Sequence, residues 1–494
     1  MPVPVSAAPS RLHHTSRSSP SSPPPSSLPP DPPRNNPIRT MTSATSVQAI
    51  LEAVPALYRG PGGAAAVLQD GQLVAQHAWG YADLQARTPM TPSTRMPICS
   101  ITKQMVILIL KDLERNPPCS TAARGSIPEQ LPASATTGRC PRSGARTRTD
   151  SSPSPPTPPK PSPAPNPYTS PPGTQYAYCN LNFHILARLT EQISGQSLSD
   201  LLTTRLFTPA AMTTAALHPD NATLPAPCIG YEGTETTGFT PAVNRMQWSG
   251  DAGVVASLTD MIAYEQYLHR DPANLYHRIS QPPSFTDGTP ARYGFGLEHR
   301  SIHSSVPVIG HGGALRGFRL HRFQAPTHGV AVVVMLNHEI DAEEVAGHIL
   351  RKTLGLPTPP VPQLPPSPDW TGTFFDPEAR LLVQTRPGGR GRAIISYAGW
   401  DEVVSLEQSD SHGRSSTLQA VVTGDVLHLS RLEDNRSFTA KRIRPDDVPR
   451  DDYTGEYHCA DAESTFRCSG AGGMLYGYFE GFLGKGPMHL MRHL

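Results

Sequence analysis

The sequence predicts an α+β protein: one long mixed α/β domain followed by two small antiparallel β-barrels. Three observations carry that prediction. Strand-like runs joined by Asp70-Gly71 lie near the start of the long domain, and a second strand pair, Phe318 to Phe323 and Val330 to Leu336, lies near its end. Strands at both ends with helical periodicity between them imply one mixed sheet that the two ends close together. Beyond a Pro-rich stretch at 357–368 the text changes to short strand-like runs, and Trp370-Thr371-Gly372-Thr373-Phe374 is echoed by Tyr453-Thr454-Gly455-Glu456-Tyr457 about eighty residues later. An internal repeat of short strands broken by Gly, Asp and Ser is the pattern of paired small barrels.

Composition narrows function by exclusion. A formal net charge of +1 over 494 residues offers no basic surface for nucleic acid or an anionic membrane. No apolar run approaches the roughly eighteen residues of a membrane span, and the N-terminus lacks the apolar core of a secretory signal, so a soluble, cytoplasmic protein is expected. Seven Cys without a Cys-x-x-Cys pair argue against a disulfide framework or a zinc site. None of the nineteen His sits in a His-Glu-x-x-His helix, so no metal is expected.

Taken in order, residues 1–43 read as a disordered tail, for the first forty hold twelve Pro, one acid (Asp31) and no aromatic ring. A helical pattern (Val47, Ile50, Leu51, Val54, Leu57) opens a domain expected over 44–356. The Asp70-Gly71 hairpin follows, then an apolar helix, Met105 to Leu113, that Asn116-Pro117 closes. Residues 117–172 break the pattern. They hold sixteen Pro, and only Ile127, Leu131 and Tyr168 are large and apolar, so they cannot build a packed helical subdomain. An anomalous insert is expected here, such as a reading-frame or splice error that replaced a subdomain. Order returns at Pro172-Gly173 with a helix carrying Phe183, Leu186, Leu189 and Ile193 on one side, a short helix from Leu198 to Leu206, and another from Thr259 to Leu268. The domain closes with a helix that Asp341 and Glu344 would open as a capping box and Gly355 would end. After the 357–368 linker, the first barrel is expected over 369–446 and the second over 447–494, too short a stretch to complete its last strands.

The chemistry centres on Ser100-Ile101-Thr102-Lys103, which sets a hydroxyl and an amine about one turn apart on one helix face. A hydroxyl needs a base beside it to attack a carbonyl, and Lys serves only if burial or a neighbouring cation lowers its pKa. Alone, the tetrapeptide is a weak signal, because a helix-start Ser and a surface Lys are common. Tyr178-Cys179-Asn180 at the next helix start, and His311-Gly312-Gly313 before the late strands, complete an ordered set of three. Cys99 and Cys179 flank this set, but neither has a positioned His partner, and small buried thiols explain both. Asp251, within Gly250-Asp251-Ala252-Gly253, reads as a residue that caps or orients its loop.

These three elements in this order resemble the class C β-lactamase and penicillin-binding-protein superfamily of serine hydrolases, whose motifs are Ser-x-x-Lys, Tyr-x-Asn and Lys-Thr-Gly. His-Gly-Gly in third place, together with Ala78-Trp79-Gly80, Arg95-Met96-Pro97-Ile98-Cys99-Ser100 and the run His311 to Gly317, is similar to one branch, the D-stereospecific aminopeptidases. The likeness covers 45–116, 172–350 and 369–494. It implies a β-lactamase-like fold followed by two barrels, and catalysis without a cofactor. By the same resemblance Ser100 is the nucleophile that carries an acyl group, Lys103 accepts or relays its proton, and Tyr178 is the partner base and acid, held partly as phenolate. Asn180 would orient the substrate amide, His311 would position Tyr178 or the leaving group, and backbone N–H groups of Ser100 and Ala314, beside Gly313, would hold the oxyanion. The stretch from Gly470 to Phe482 would enter the site as a loop, with Glu480 meeting a substrate ammonium. The activity implied is release of N-terminal D-amino acids from short peptides or amides. Two alternatives stand beside it: an esterase or β-lactam-recognising hydrolase of the same fold, and an inactive scaffold caused by the 117–172 disruption. The expected partner is a small peptide or amino-acid amide, with a homodimer left open and neither nucleic acid nor membrane involved.

Overall fold

The computed structural model describes residues 43–116, 170–271, 273–302, 306–357, 364–376, 381–389, 391–397, 400–406, 409–444, 454–459, 464–471, 474–481, 484–485 and 489–493. The expected tail and nearly all of the anomalous insert lie outside the described residues.

The first domain runs α1 (Ala44–Leu57), β1 (Gly62–Gln69), β2 (Gln72–Asp83), β3 (Thr88–Pro89), β4 (Arg95–Pro97), α2 (Thr102–Arg115), α3 (Asn180–Ser194), α4 (Leu198–Leu202), α5 (Thr208–Ala210), β5 (Ala216–Leu217), β6 (Tyr231–Thr234), β7 (Gly238–Pro241), β8 (Val254–Ser257), α6 (Leu258–Arg270), α7 (Leu275–Ile279), β9 (Tyr293–Gly294), β10 (Leu297–Ile302), β11 (Val306–Leu315), β12 (Phe318–Ala325), β13 (Val330–Leu336) and α8 (Ala342–Thr353). Its central sheet has the order β3-β2-β1-β13-β12-β11-β10-β9. Gly63 lies opposite Leu336 and Gln69 opposite Val330, so strands from the two ends of the domain meet in its middle. Every pairing is antiparallel, so only the helix and strand content is mixed, not the strand directions. Short connections from β9 to β13 permit no other sense.

Asp70 and Gly71 join β1 to β2 at φ 48° and 75°, the left-handed pair that a two-residue hairpin requires. Alternate residues of β1 then face opposite cores. Ala64, Ala66 and Leu68 pack with Met105, Ile109 and Met261, while Ala65 and Val67 pack with Val47, Leu51, Val345 and Ile349. Helices therefore cover both faces, which explains why β13 is an unbroken apolar run: all seven of its residues are buried. Helix α6 starts on a capping box of Ser257 and Asp260. Helix α8 starts on Asp341, whose carboxylate accepts the Glu343 N–H at 2.9 Å, one residue before the expected Glu344, and stops at Gly355, φ 63°. In α3 the buried face is Ala187 and Thr190, with Phe183 and Leu186 half-buried beside it, so Leu189, expected inward, is exposed.

Beyond the linker, β14 (Gly372–Asp376), β15 (Leu381–Pro387), β16 (Arg392–Tyr397), β17 (Trp400–Leu406), β18 (His412–Arg414), β19 (Leu418–Thr423), β20 (Val426–Arg431) and β21 (Arg436–Ile443) form a closed antiparallel barrel. Strand β14 pairs with β21, and Trp370, Phe374, Val383, Ile395 and Leu429 fill the interior. The last strands are β22 (Gly455–Cys459), β23 (Ser464–Ala471), β24 (Met474–Gly481), β25 (Gly484–Lys485) and β26 (His489–His493), ordered β22-β23-β24-β25 with β26 also on β24. Residues 470–471 and 474–481, expected in a loop, are strand. Ser464 pairs with Gly481 and Ala471 with Met474, a ladder that satisfies backbone groups a loop would leave to water.

Candidate active site

Ser100 lies in a short 3₁₀ turn, Cys99–Ile101, that runs straight into α2. Pairing of β4 with β8, and the Ile98 N–H bonded to the Val254 carbonyl at 2.9 Å, fix the entry to that turn. Cys99 holds φ 52°, a conformation rare for a residue with a Cβ, and its thiol donates to the Pro97 carbonyl at 3.3 Å. Backbone strain directly before a candidate nucleophile is strain where function is commonly found.

Lys103, one turn on, is fully buried. Its Nζ donates to Ser100 Oγ at 2.9 Å and to the Asp251 main-chain carbonyl at 2.7 Å, and neither partner is an anion. The rings of Tyr178 and Phe183 lie 4.9 and 5.5 Å from Nζ. Burial brings the ammonium down to about 7 against the opposing Asp251 charge. The side chain of Asp251 accepts the Ser249 N–H at 2.8 Å, so it orients its own loop and, through its carbonyl, Lys103.

Tyr178 enters from the chain just before α3, and its hydroxyl donates to Ser100 Oγ at 2.8 Å. Although 41% of the residue is open to solvent, its hydroxyl is taken up by the Ser100 contact. Burial raises its pKa, with the Ser100 hydrogen bond acting the other way. That direction is opposite to the lowering that a partly ionised phenolate would call for.

His311 occupies β11, buried, with Nε2 2.9 Å from the Tyr293 hydroxyl. Burial, and then the Lys103 charge, lower its pKa to about 3, so it is neutral. Its ring lies 6.1 Å from that of Tyr178, and Tyr293 joins the two, meeting Tyr178 edge-on at 5.6 Å and stacking on Tyr176 at 4.9 Å. Strand β10 covers β11 only as far as Gly310, leaving the edge at 312–314 beside the Ser100 turn. A Cβ on Gly313 would sit 2.3 Å from the Ile98 carbonyl, which is why this position takes glycine. Ala314 follows on the exposed side of the strand, and Asn180 is exposed at the first residue of α3. Glu480 is in β24, opposite Thr465 and Lys485; its side chain lies outside the described residues.

Burial pushes the Cys99 thiol up to about 12, which leaves it an inert packing group. Three participants escaped the sequence reading: the Asp251 carbonyl, Tyr293, and Tyr176. A main-chain carbonyl has no residue signature, and Tyr293 is separated from Tyr176 and Tyr178 by more than a hundred residues of chain. Only the aromatic spacing of Tyr176 and Tyr178 hinted at a shared surface.

Comparison with known proteins bears on family and fold. Residues 47–118 and 151–355 match the family described as Beta-lactamase, and 363–494 match D-aminopeptidase, domain B. A D-aminopeptidase of Brucella canis is 39% identical over 460 residues, spanning 90% of this chain and 88% of the relative. One of Brucella anthropi is 37% identical over 461 residues, with the same 90% and 88% coverage. An octameric penicillin-binding protein homologue from Pyrococcus abyssi superposes with TM-score 0.50 at 15% identity, covering 81% of this chain and 100% of that one, a likeness of fold.

Proposed function

The chain belongs to the D-aminopeptidase family with a β-lactamase-like fold, and from that premise we propose that it is a serine hydrolase releasing N-terminal D-amino acids from short peptides or amides through an acyl-enzyme on Ser100. The observation that carries the reading is the convergence of Lys103 Nζ and the Tyr178 hydroxyl on one oxygen, at 2.9 and 2.8 Å. Once Lys103 has shed its proton, the same contact lets the Ser100 hydroxyl donate to Nζ. Oγ then attacks the substrate carbonyl as Lys103 takes the proton.

The oxyanion forms against the backbone N–H groups of Ser100 and Ala314, each such donor worth roughly a hundred- to a thousandfold in rate. Tyr178, a neutral phenol, hands its proton to the departing amine as the C–N bond breaks and is reprotonated from Lys103. Water then attacks the ester, and the same two groups return the proton to Oγ. Asn180 orients the substrate amide. Neutral His311 offers no cation for a substrate carboxylate, which fits a substrate recognised by its amino end. No step calls for a metal or cofactor, and the substrate is a small peptide or amide. Among the described residues no helix is long and apolar enough to cross a membrane.

Release of p-nitroaniline from D-alanine p-nitroanilide and its L enantiomer tests this, with the full chain and a Ser100→Ala variant. Turnover of the D substrate alone, lost in the variant, is expected. Turnover of an N-acetylated D-alanine ester as readily as of one with a free amine would favour the esterase-like reading, and no turnover of any of these the scaffold.

A further inference from the structure

The chain that delivers Tyr178 has little structure of its own. From Gln175 to Cys179 it is neither helix nor strand, yet it must hold a hydroxyl 2.8 Å from Ser100. Part of what holds it comes from the first barrel. The turn between β20 and β21 reaches the first domain, where the Asp434 carbonyl accepts the Tyr176 N–H at 3.0 Å. The Asn435 side-chain amide donates to the Thr174 carbonyl at 3.1 Å and to Asp287 Oδ2 at 2.9 Å, using both of its protons. Thr174 and Asp287 stand on two loops already joined by the Thr286 N–H to Gly173 carbonyl bond of 2.9 Å, so Asn435 closes a bridge over both.

The tip is itself fastened. Glu433 pairs with Arg300 at 3.1 Å, and Arg300 on β10 also holds Glu298 at 3.0 Å and Glu343 at 2.8 Å. Asn435 sits at φ 50°, a backbone region that Asn tolerates better than most residues. One residue thus supplies both the bend and the two donors. The grip continues inward, since Tyr176 stacks on Tyr293, and Tyr293 meets Tyr178 and His311.

We propose that the Glu433–Asn435 tip of the first barrel is part of the catalytic apparatus, with Asn435 a positioning residue that keeps the Tyr178 hydroxyl on Ser100. The inference rests on the reading that Ser100 is acylated, and it assigns the barrel a task beyond docking. A displacement of about 1 Å at a reacting group lowers rates by up to a hundredfold, so a tether two to four residues from Tyr178 controls rate more than affinity.

The test follows covalent labelling of Ser100 in the full chain by a fluorophosphonate, a probe indifferent to substrate stereochemistry. Asn435→Gly suits a positive φ and removes both donors. Its maximal labelling rate is expected to fall about tenfold or more, with the half-saturating probe concentration little changed. The deficit should vanish when Tyr178→Phe is the background, because no hydroxyl is left to misplace. Asn435→Asp, a second variant of the same size without the donors, should lose rate likewise, whereas Ser430→Ala on the same hairpin should not. Labelling of Asn435→Gly at the rate of the unmodified chain would overturn the inference, as would an equal deficit in the Tyr178→Phe background. Failure of the unmodified chain to label would overturn the proposed function and this inference together.

Discussion

Two fully buried cations meet at adjacent positions of helix α2, and they are treated in opposite ways. Lys103 is itself one of them. Its Nζ finds a hydroxyl and a main-chain carbonyl, and burial brings it down to about 7. Gln104, next along, accepts from the other, Arg322, at 3.0 Å. Arg322 is equally buried but has a carboxylate in the correct place: Glu265 receives its Nε and, at 2.8 Å, its Nη2. Burial alone would lower Arg322, yet the Glu265 charge outweighs it and holds the guanidinium well above its ordinary value. The Tyr276 hydroxyl accepts at 3.2 Å, and Gln324 donates to Glu265 at 2.8 Å, which completes the network. A buried guanidinium held by an anion is a structural cation; a buried lysine without one becomes a titratable amine.

The largest effect that would break this contrast is at Lys103. Lys103→Met should slow fluorophosphonate labelling about a thousandfold, and the same variant should be more stable. A lysine brought from 10.5 to about 7 on folding costs about 4 kcal/mol at pH 7, so denaturant unfolding should move to higher concentration. Loss of stability would mean that the amine is held as a satisfied ion after all.

Glu265→Gln should do the reverse. It strands a buried guanidinium and should lower unfolding free energy by about 3–5 kcal/mol, while the folded fraction still labels at Ser100 within a few-fold of the unmodified rate. A stability change within experimental scatter would show that Arg322 does not need its anion.

The smallest and sharpest effect is in pH. Labelling should rise with a midpoint near 7, where Lys103 loses its proton, and Lys103→Met should flatten the profile. Stability follows the same group. Its folded pKa lies below its unfolded value, so the unfolded chain binds more protons between pH 7 and 10.5, and stability should climb across that window and be level below it. Arg322 stays charged in both states over that range and contributes no slope. A labelling midpoint near that of an ordinary lysine would place the amine in water.

The contrast also marks how far the text of the chain could be read. Ser100 and Lys103 were legible because a helix of 3.6 residues per turn puts them on one face, and the Asp70-Gly71 hairpin because its left-handed pair needs those residue types. Within the stretch expected as a loop over 470–482, residues 470–471 and 474–481 are strand: Gly and aromatic residues suit a plug and a strand pair equally, and the pairing with Ser464–Ala471 is not written in the segment itself. Tyr178 was legible as a motif but the direction of its pKa was not, because a phenol's pKa depends on burial, and burial is not a property of one segment.

The sequence by itself determined the α+β class, the joining of the two ends of the first domain in one sheet, and the three short motifs. All of these are set by local periodicity, turn chemistry or residue type. Only the tertiary structure decided that Lys103 faces a carbonyl and Arg322 a carboxylate, that His311 bonds to Tyr293 beside Tyr178, and that a barrel turn more than 250 residues away grips the chain before Tyr178. The physical reason is the same in each case. A group's charge and aim are fixed by what is brought within about 3 Å of it, and those neighbours come from segments that share no local pattern.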